Sequence, residues 1–375
     1  MNKWTYTTLG KISEIITGPF GSQLHQSDYV EQGIPVVMPQ DIDNRKVNYA
    51  SINYVSNEDA IRLERYKTII NDILYARRGD VEKHAFIKEK DNGVLCGTGC
   101  LRVRITTSEV EPEFISFFLN REETRKWLVT HAVGTNMPNL NTDILSDVPI
   151  AYPLLEEQRK IVQVLNSLDE KIALNSAVND NLEQQIKTIF TFQFLQNANT
   201  EWKQQSLAEL SEMYQPKTIS GKDLIADGNY FVYGANGIIG KYNQYNHSES
   251  EIAVACRGAS CGSIQMTLPF SWITGNAMVV KPHSDFPYRE YLYYYLLAKN
   301  PNYLCSGSAQ PQLTRENLTL YSLKVPSTTE LNAFESYAGK VRKIIIKNQQ
   351  ENIELSTLRD WLLPMLMNGQ ATISD

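Results

Sequence analysis

Cysteine is scarce in this chain of 375 residues: five in all, scattered at Cys96, Cys100, Cys256, Cys261 and Cys305. An odd, scattered set offers no disulfide framework and predicts a reduced, cytoplasmic chain. The spacings Cys96-x3-Cys100 and Cys256-x4-Cys261 lack a second Cys/His pair, so no metal site is expected. Histidine is equally rare, and His25, His84, His131, His247 and His283 show neither paired spacing nor a nucleophile partner. No apolar run approaches the ~20 residues of a membrane span. Met1 to Gly21 lacks the basic-then-apolar order of a signal peptide. Basic charge is not in excess either. The net charge of −6 argues against indiscriminate wrapping of nucleic acid, though it leaves local basic faces open. Residues 1–152 hold 17 basic against 20 acidic side chains and residues 200–325 hold 10 of each, so tight binding to a polyanion would call for a helper subunit.

Catalytic motifs are also missing. Gly234-Ala-Asn-Gly-Ile-Ile-Gly-Lys241 resembles a phosphate loop, but five residues rather than four separate Gly234 from Gly240, and Tyr242 stands where Ser or Thr is needed. Asn300-Pro-Asn-Tyr303 lacks the second proline of an adenine-methyltransferase loop and reads as a turn at a helix end. Asp169-Glu-Lys171 has a passing likeness to a nuclease motif but lies on a helix and reads as a solvated face. The chain is therefore expected to recognise rather than to catalyse.

What is present is periodicity. Ile161, Leu165, Leu168, Ile172, Asn175, Asn179, Leu182, Ile186 and Ile189 step by fours and threes, the seam of a helix packed along a partner helix. Adding 173 to this seam lands on Phe334, Ala338, Val341, Ile345, Asn348, Asn352 and Leu355, after which Leu358 and Leu362 continue it one position out of phase. Polar seam residues sacrifice stability to fix register. Antiparallel pairing would set Asn175 against Asn352 and Asn179 against Asn348, satisfying all four amides. On this reading Asn175→Leu stabilises the chain but loosens the register. Each helix begins straight after a proline, Pro153 or Pro326, with glutamates in its first turn, where they suit the helix dipole. The second is expected to end near Pro364. About 39 helical residues would make a rod of roughly 58 Å.

The repeat extends beyond the helices. Trp4, Leu9 and Ile12 recur as Trp202, Leu207 and Leu210 at an offset of 198. Phe114-Ile-Ser-Phe-Phe-Leu119 recurs as Tyr291-Leu-Tyr-Tyr-Tyr-Leu296 at 177, and Gly134-Thr-Asn-Met-Pro-Asn-Leu-Asn141 as Gly307-Ser-Ala-Gln-Pro-Gln-Leu-Thr314 at 173. The chain is a tandem duplication whose second copy is shorter through its middle. Four segments follow: residues 1–152 and 200–325 as globular parts, 153–199 and 326–375 as helices. Short apolar runs predict strands at Ile34–Met38, Ile73–Ala76, Leu101–Ile105, Tyr230–Tyr233, Ile252–Cys256 and Ala277–Val280, with helices over 113–130 and 288–298. The fold class is α+β: two mixed domains in tandem, separated by two long helices in an antiparallel coiled coil with pseudo-two-fold symmetry.

Residues 62–90 gather eight basic side chains against five acidic ones. The Arg77-Arg78-Gly79 turn follows a strand directly, and Arg257-Gly258 holds the same place in the second copy. An arginine projected from a glycine turn can bond a guanine edge in two places or grip a phosphate. Ser22, Gln23, Lys83, Asn236 and Lys241 are further polar residues on glycine-rich loops suited to bases or phosphates.

These features together resemble the specificity subunit of type I restriction–modification systems. The resemblance spans the chain and is carried by Gly18-Pro-Phe-Gly-Ser-Gln-Leu24 with Gly33-Ile-Pro35, and by Tyr233-Gly-Ala-Asn-Gly-Ile-Ile-Gly240. Pro153-Leu-Leu-Glu-Glu-Gln158, Leu168-Asp-Glu-Lys-Ile172 and Leu358-Arg-Asp-Trp-Leu-Leu-Pro364 complete the set. It implies two target recognition domains, each reading half of a bipartite site in double-stranded DNA, separated by two coiled-coil helices. It implies no chemistry and no cofactor on this chain. Two modification subunits would supply S-adenosylmethionine-dependent adenine methylation, and restriction subunits would supply ATP- and Mg-dependent translocation and cutting. Ser327-Thr-Thr-Glu-Leu331 departs from the proline–glutamate–glutamine pattern of the first copy, and the two recognition domains differ strongly, so the half-sites are expected to differ too. The alternatives are an orphan DNA-binding chain or a coiled-coil scaffold outside any restriction complex, and co-purification with a modification subunit separates them.

Overall fold

Four of the six apolar runs expected as strands, at Ile73, Leu101, Ile252 and Ala277, form the middle of a four-stranded sheet in each half of the chain, and the other two, at Ile34 and Tyr230, lie in a second sheet. The structure, a computed structural model, describes residues 4–134, 138–307 and 311–373. It divides into unit 1, Met1–Ile172 with Ile353–Asp375, and unit 2, Ala173–Asn352. In unit 1, β1 (Ser13–Thr17), β2 (Ile73–Ala76), β3 (His84–Phe86) and β4 (Cys100–Ile105) lie in the order β1-β4-β2-β3, antiparallel throughout. In unit 2, β5 (Ser211–Tyr214), β6 (Ile252–Ala255), β7 (Ile264–Met266) and β8 (Ala277–Pro282) repeat that order as β5-β8-β6-β7. Every residue of β2 and β6 is buried, because each sheet is covered on both faces. Ile73 and Tyr75 face one core of unit 1 while Leu74 and Ala76 face another, and Ile252 and Val254 are divided from Ala253 in the same way.

A second sheet of shorter strands, four in unit 1 and three in unit 2, accompanies each of these and pairs two strands in parallel: Ile34–Val37 with Leu95–Cys96, and Tyr230–Gly234 with Trp272–Ile273. Here the copies diverge. Residues 38–52 link the strand Ile34–Val37 to Asn53–Val55, whereas only 235–236 link Tyr230–Gly234 to Gly237–Tyr242. The helix expected over 113–130 is two helices, Pro112–Leu119 and Glu122–His131, broken at Asn120 and Arg121. Its counterpart in unit 2 is Arg289–Ala298.

The first long helix, Leu155–Phe190, runs 36 residues and passes into a π-helical stretch, Thr191–Gln196. The second, Thr328–Met367, runs 40 residues. It does not end at Pro364. An internal proline forfeits a hydrogen bond and crowds the preceding turn at a cost of about 3 kcal/mol. Burial of Leu363, Leu366 and Met367 in the unit 1 core offsets that cost and carries the helix on.

Within unit 2 the helices run antiparallel. Asn175 Nδ2 donates to Asn352 Oδ1 at 2.9 Å and to Glu351 at 2.8 Å. Asn348 Nδ2 donates to Asn179 Oδ1 at 2.9 Å, and Asn179 Nδ2 reaches the carbonyl of Ile345 at 3.3 Å. Within unit 1, Asp169 meets Arg359 at 2.8 Å, and Ile161 and Leu165 share a core with Leu363 and Leu366. Leu358, expected in the seam, is exposed. The seam keeps its phase through Leu355, Arg359, Leu362 and Leu366, because Arg359 occupies a seam position by pairing with Asp169. An apolar pattern cannot reveal a seam arginine.

The cysteines differ from expectation as well. Cys261 and Cys305 are joined as a disulfide with their Cα atoms 6.6 Å apart, while Cys96, Cys100 and Cys256 are free and buried. Their separation of 44 residues hid the pairing. The fold brings the turn after β6 beside the loop that begins at Cys305.

Candidate nucleic-acid interface

Each unit builds the same device beyond the end of its most buried strand. After β2 the Arg77 N–H donates to the Gly99 carbonyl at 2.7 Å, and the Arg77 carbonyl accepts from Leu140 at 2.8 Å. Gly79 N–H donates to Pro138 O at 3.2 Å, and Arg78 pairs with Asn139 in an isolated antiparallel bridge. After β6 the Cys256 N–H donates to Asn276 at 2.9 Å and its carbonyl accepts from Leu313 at 2.9 Å. Gly258 N–H donates to Pro311 O at 3.1 Å, and Arg257 is bridged to Gln312. The partner loops are closed alike, by reciprocal bonds between Val133 and Asn139 and between Ser306 and Gln312. Gly79 and Gly258 have φ of +74° and +78°, a conformation that costs other residues dearly. An added Cβ would meet nothing within 4 Å at either, so the glycines answer to backbone conformation, and their outer faces are open.

The candidate residues sort themselves by their partners. Arg78 and Arg257 are exposed, and neither guanidinium has a hydrogen bond or ion pair among the described residues. Arg77 is half-buried, with Nε enclosed and lacking a partner among the described residues. Lys83 is held by Asp80 at 2.9 Å, a hydrogen bond that raises its proton affinity. Much of the basic stretch 62–90 is tied down likewise: Arg62 by Asp59 and Asp28, Lys67 by Glu64, and Lys88 by Glu113. Gln23 lies in a short 3-10 turn, Gly21–Gln23, where its side-chain oxygen accepts from Tyr66 at 2.8 Å and its carbonyl from Arg62 at 2.6 Å. The Ser22 side chain lies outside the described ones. In unit 2, Asn236 is exposed in the two-residue turn of the hairpin Tyr230–Tyr242, and Lys241 lies over the Phe231 ring at 5.6 Å. Arg77, Arg78 and Lys83 therefore share one turn; among the described residues no hydrogen bond or ion pair joins Gln23 to them, or Asn236 and Lys241 to Arg257. Sequence reading missed Asn139 and Gln312, although both follow the repeated proline, and that repeat was the available signal.

Each unit also holds an arginine whose side chain is enclosed among acids. Arg45 contacts Asp169 at 3.3 Å, Glu113 at 3.5 Å and Ser116 Oγ at 2.9 Å, and stacks on Phe117 at 3.4 Å. Burial pulls its proton affinity down to about 10 against the pull of the two carboxylates. Arg342 contacts Glu290 at 3.2 Å, Tyr294 Oη at 2.9 Å and Glu183. Beside it, burial drives the Glu335 carboxyl up to about 7, although the backbone N–H groups of Glu290 and Tyr291 donate to it. His84 is enclosed and held neutral, its pKa pushed by burial down to about 3. Among the described residues no group of three or more His, Cys, Asp or Glu could hold a metal ion. The exposed arginines can bind an anion or a base edge, and the buried ones serve the fold.

Comparison with known proteins agrees on one family. The model described as "Type I restriction modification DNA specificity domain" matches twice, over residues 1–184 and 199–355. The type I restriction enzyme MjaIX specificity subunit of Methanocaldococcus jannaschii is 22% identical, aligning 99% of this chain with 94% of that protein. The HindI specificity subunit of Haemophilus influenzae is 25% identical over 59% of this chain and 48% of its own length. The crystal structure of the type I restriction–modification S subunit from M. genitalium shares the fold, with a TM-score of 0.66 at 16% identity, covering 100% of this chain and 97% of that one.

Proposed function

The chain belongs to the type I restriction modification DNA specificity family, and from that premise we propose that each unit reads one half of a bipartite site in double-stranded DNA. The observation that carries this reading is the double match to a DNA specificity domain on a chain whose two units repeat one sheet order and one arginine-bearing turn. Residues 1–152 and 200–325 act as the recognition domains, and Arg77, Arg78, Lys83, Gln23, Ser22, Arg257, Asn236 and Lys241 are the side chains offered to DNA. The long helices, residues 153–199 and 326–375, set the spacer between the half-sites and dock two modification subunits. Exposed apolar side chains along them favour such docking: Leu174 and Val178 on the first, Tyr337, Ile344, Leu358 and Trp361 on the second. The chain recognises and its partners react. S-adenosylmethionine, ATP and Mg²⁺ act on the modification and restriction subunits, and the assembly works in the cytoplasm. No helix among the described residues is long and apolar enough to cross a membrane.

The test is adenine methylation read genome-wide by long-read sequencing, with and without the gene. Disappearance of one bipartite methylated motif is expected. An unchanged methylome in cells that express the modification subunits would refute the assignment.

A further inference from the structure

We propose that the repeated arginine–glycine turn is a DNA-backbone clamp, one per unit, which grips phosphate and does not read sequence. This rests on the reading of the chain as a DNA specificity subunit and divides the labour within it. The two turns agree bond for bond: strand end, positive-φ glycine, glycine N–H to a proline carbonyl, arginine bridged to an amide residue. The rest of the two recognition surfaces does not agree. Unit 1 spans residues 38–52 where unit 2 has a two-residue turn carrying Asn236, and strand Tyr29–Val30 stands at the edge of the second sheet only in unit 1. A device built alike in both units cannot distinguish two different half-sites. What every half-site shares is its sugar–phosphate backbone.

The chemistry of the turn fits that target. Each arginine is exposed, without a protein partner among the described residues, and beside a glycine whose outer face is empty. A phosphodiester can approach such a turn closely and accept two parallel N–H bonds from the guanidinium. Phosphate contacts fix position and orientation on the duplex, and base contacts specify. A chain of net charge −6 has little general attraction for DNA, so its grip must come from local points such as these. Sequence discrimination then falls to the divergent elements: the hairpin carrying Asn236 and Lys241 in unit 2, and the turn carrying Gln23 in unit 1.

The two roles separate in a salt titration. The full chain, co-purified with its modification subunits, is bound to a pool of random-sequence duplexes, and the enriched motif and the slope of log K against log salt are read together. Arg78→Ala and Arg257→Ala are each expected to leave the enriched motif unchanged and to flatten the slope by about 0.9. Each variant would then lose about 3.5-fold less affinity than the parent between roughly 50 and 200 mM salt. Arg78→Lys and Arg257→Lys, which keep the charge, should restore the slope. Relaxed preference at one position of one half-site, with an unchanged slope, would overturn the clamp and make the arginine a base reader. A parent that enriches no motif at all would overturn the DNA specificity reading itself, a different result from either.

Discussion

Glu335 lies half-buried on the second long helix, against the first turn of Arg289–Ala298, where the N–H groups of Glu290 and Tyr291 donate to it at 3.1 and 3.3 Å. Burial raises its pKa from the ordinary 4.5 to about 7, the nearby Glu290 carboxylate adds to that, and Arg289 opposes it. Burial raises the Glu290 carboxyl as well, but Glu290 faces Arg342 directly, and that cation pulls it back toward the charged form. The sign follows from linkage. A carboxyl whose pKa is raised on folding contributes its full stability below about 4.5 and loses it as pH rises through about 7. At roughly 1.4 kcal/mol per pKa unit the loss is at most about 3.5 kcal/mol. Glu335→Gln keeps an acceptor for both N–H groups and removes the charge. It should therefore match the parent near pH 4.5 and gain up to about 3.5 kcal/mol by pH 8. The assay is urea unfolding across that range, with hydrogen exchange of the peptide over Arg289–Ala298 reporting on unit 2 alone. A variant destabilised equally at every pH, or one with no gain at pH 8, would refute the argument.

Other consequences are simpler. Asn175→Leu alone should destabilise by about 1–3 kcal/mol rather than stabilise as the seam pattern suggests, because it strips Asn352 of a partner; Asn175→Leu with Asn352→Leu should recover most of that in urea melts. Arg342→Met leaves Glu290 buried and unpaired and should cost about 3–5 kcal/mol, whereas a loss below about 1 kcal/mol would mean that the network is solvated. Inserting one heptad into both long helices adds ~10 Å and should widen the methylated motif's spacer by about three base pairs, leaving both half-sites intact. An unchanged spacer would remove the ruler role.

Much of the fold was legible because apolar periodicity and duplication are written in side chains that must be buried. Ile73–Ala76 and Ile252–Ala255 could be read as strands, and Asn175 and Asn352 could be matched by their shared offset. Polar side chains with structural work were not legible. Arg359 fills a seam position that apolar counting passes over, and nothing in the pattern around Arg45 points to its contacts with Asp169 and Glu113. The basic stretch 62–90 read as one charged surface. Folding neutralises Arg62, Lys67, Lys83 and Lys88 with local acids and leaves Arg78 without one, a distinction that depends on which acid is nearby in space.

The charge networks around Arg45 and Arg342 show how the duplicated units differ while both keep the helices. The repeat equates Glu113 with Glu290 at an offset of 177, and the acid is kept in both units. It also equates Asp169 with Arg342 at 173, where the charge is reversed. A buried acid needs a cation, so the two changes are coupled. In unit 1 the helix supplies Asp169 and the cation arrives from the loop as Arg45; in unit 2 the helix supplies the cation itself and takes Glu183 as the second acid. The loop of residues 38–52 is thereby bound to the helix, and Arg45 in it holds a left-handed φ of 63° for that contact. Unit 2 carries no such obligation, and its link shrinks to residues 235–236. With the cation on the helix, the hairpin that carries Asn236 supplies no charge to the unit 2 network, whereas in unit 1 the loop must supply Arg45.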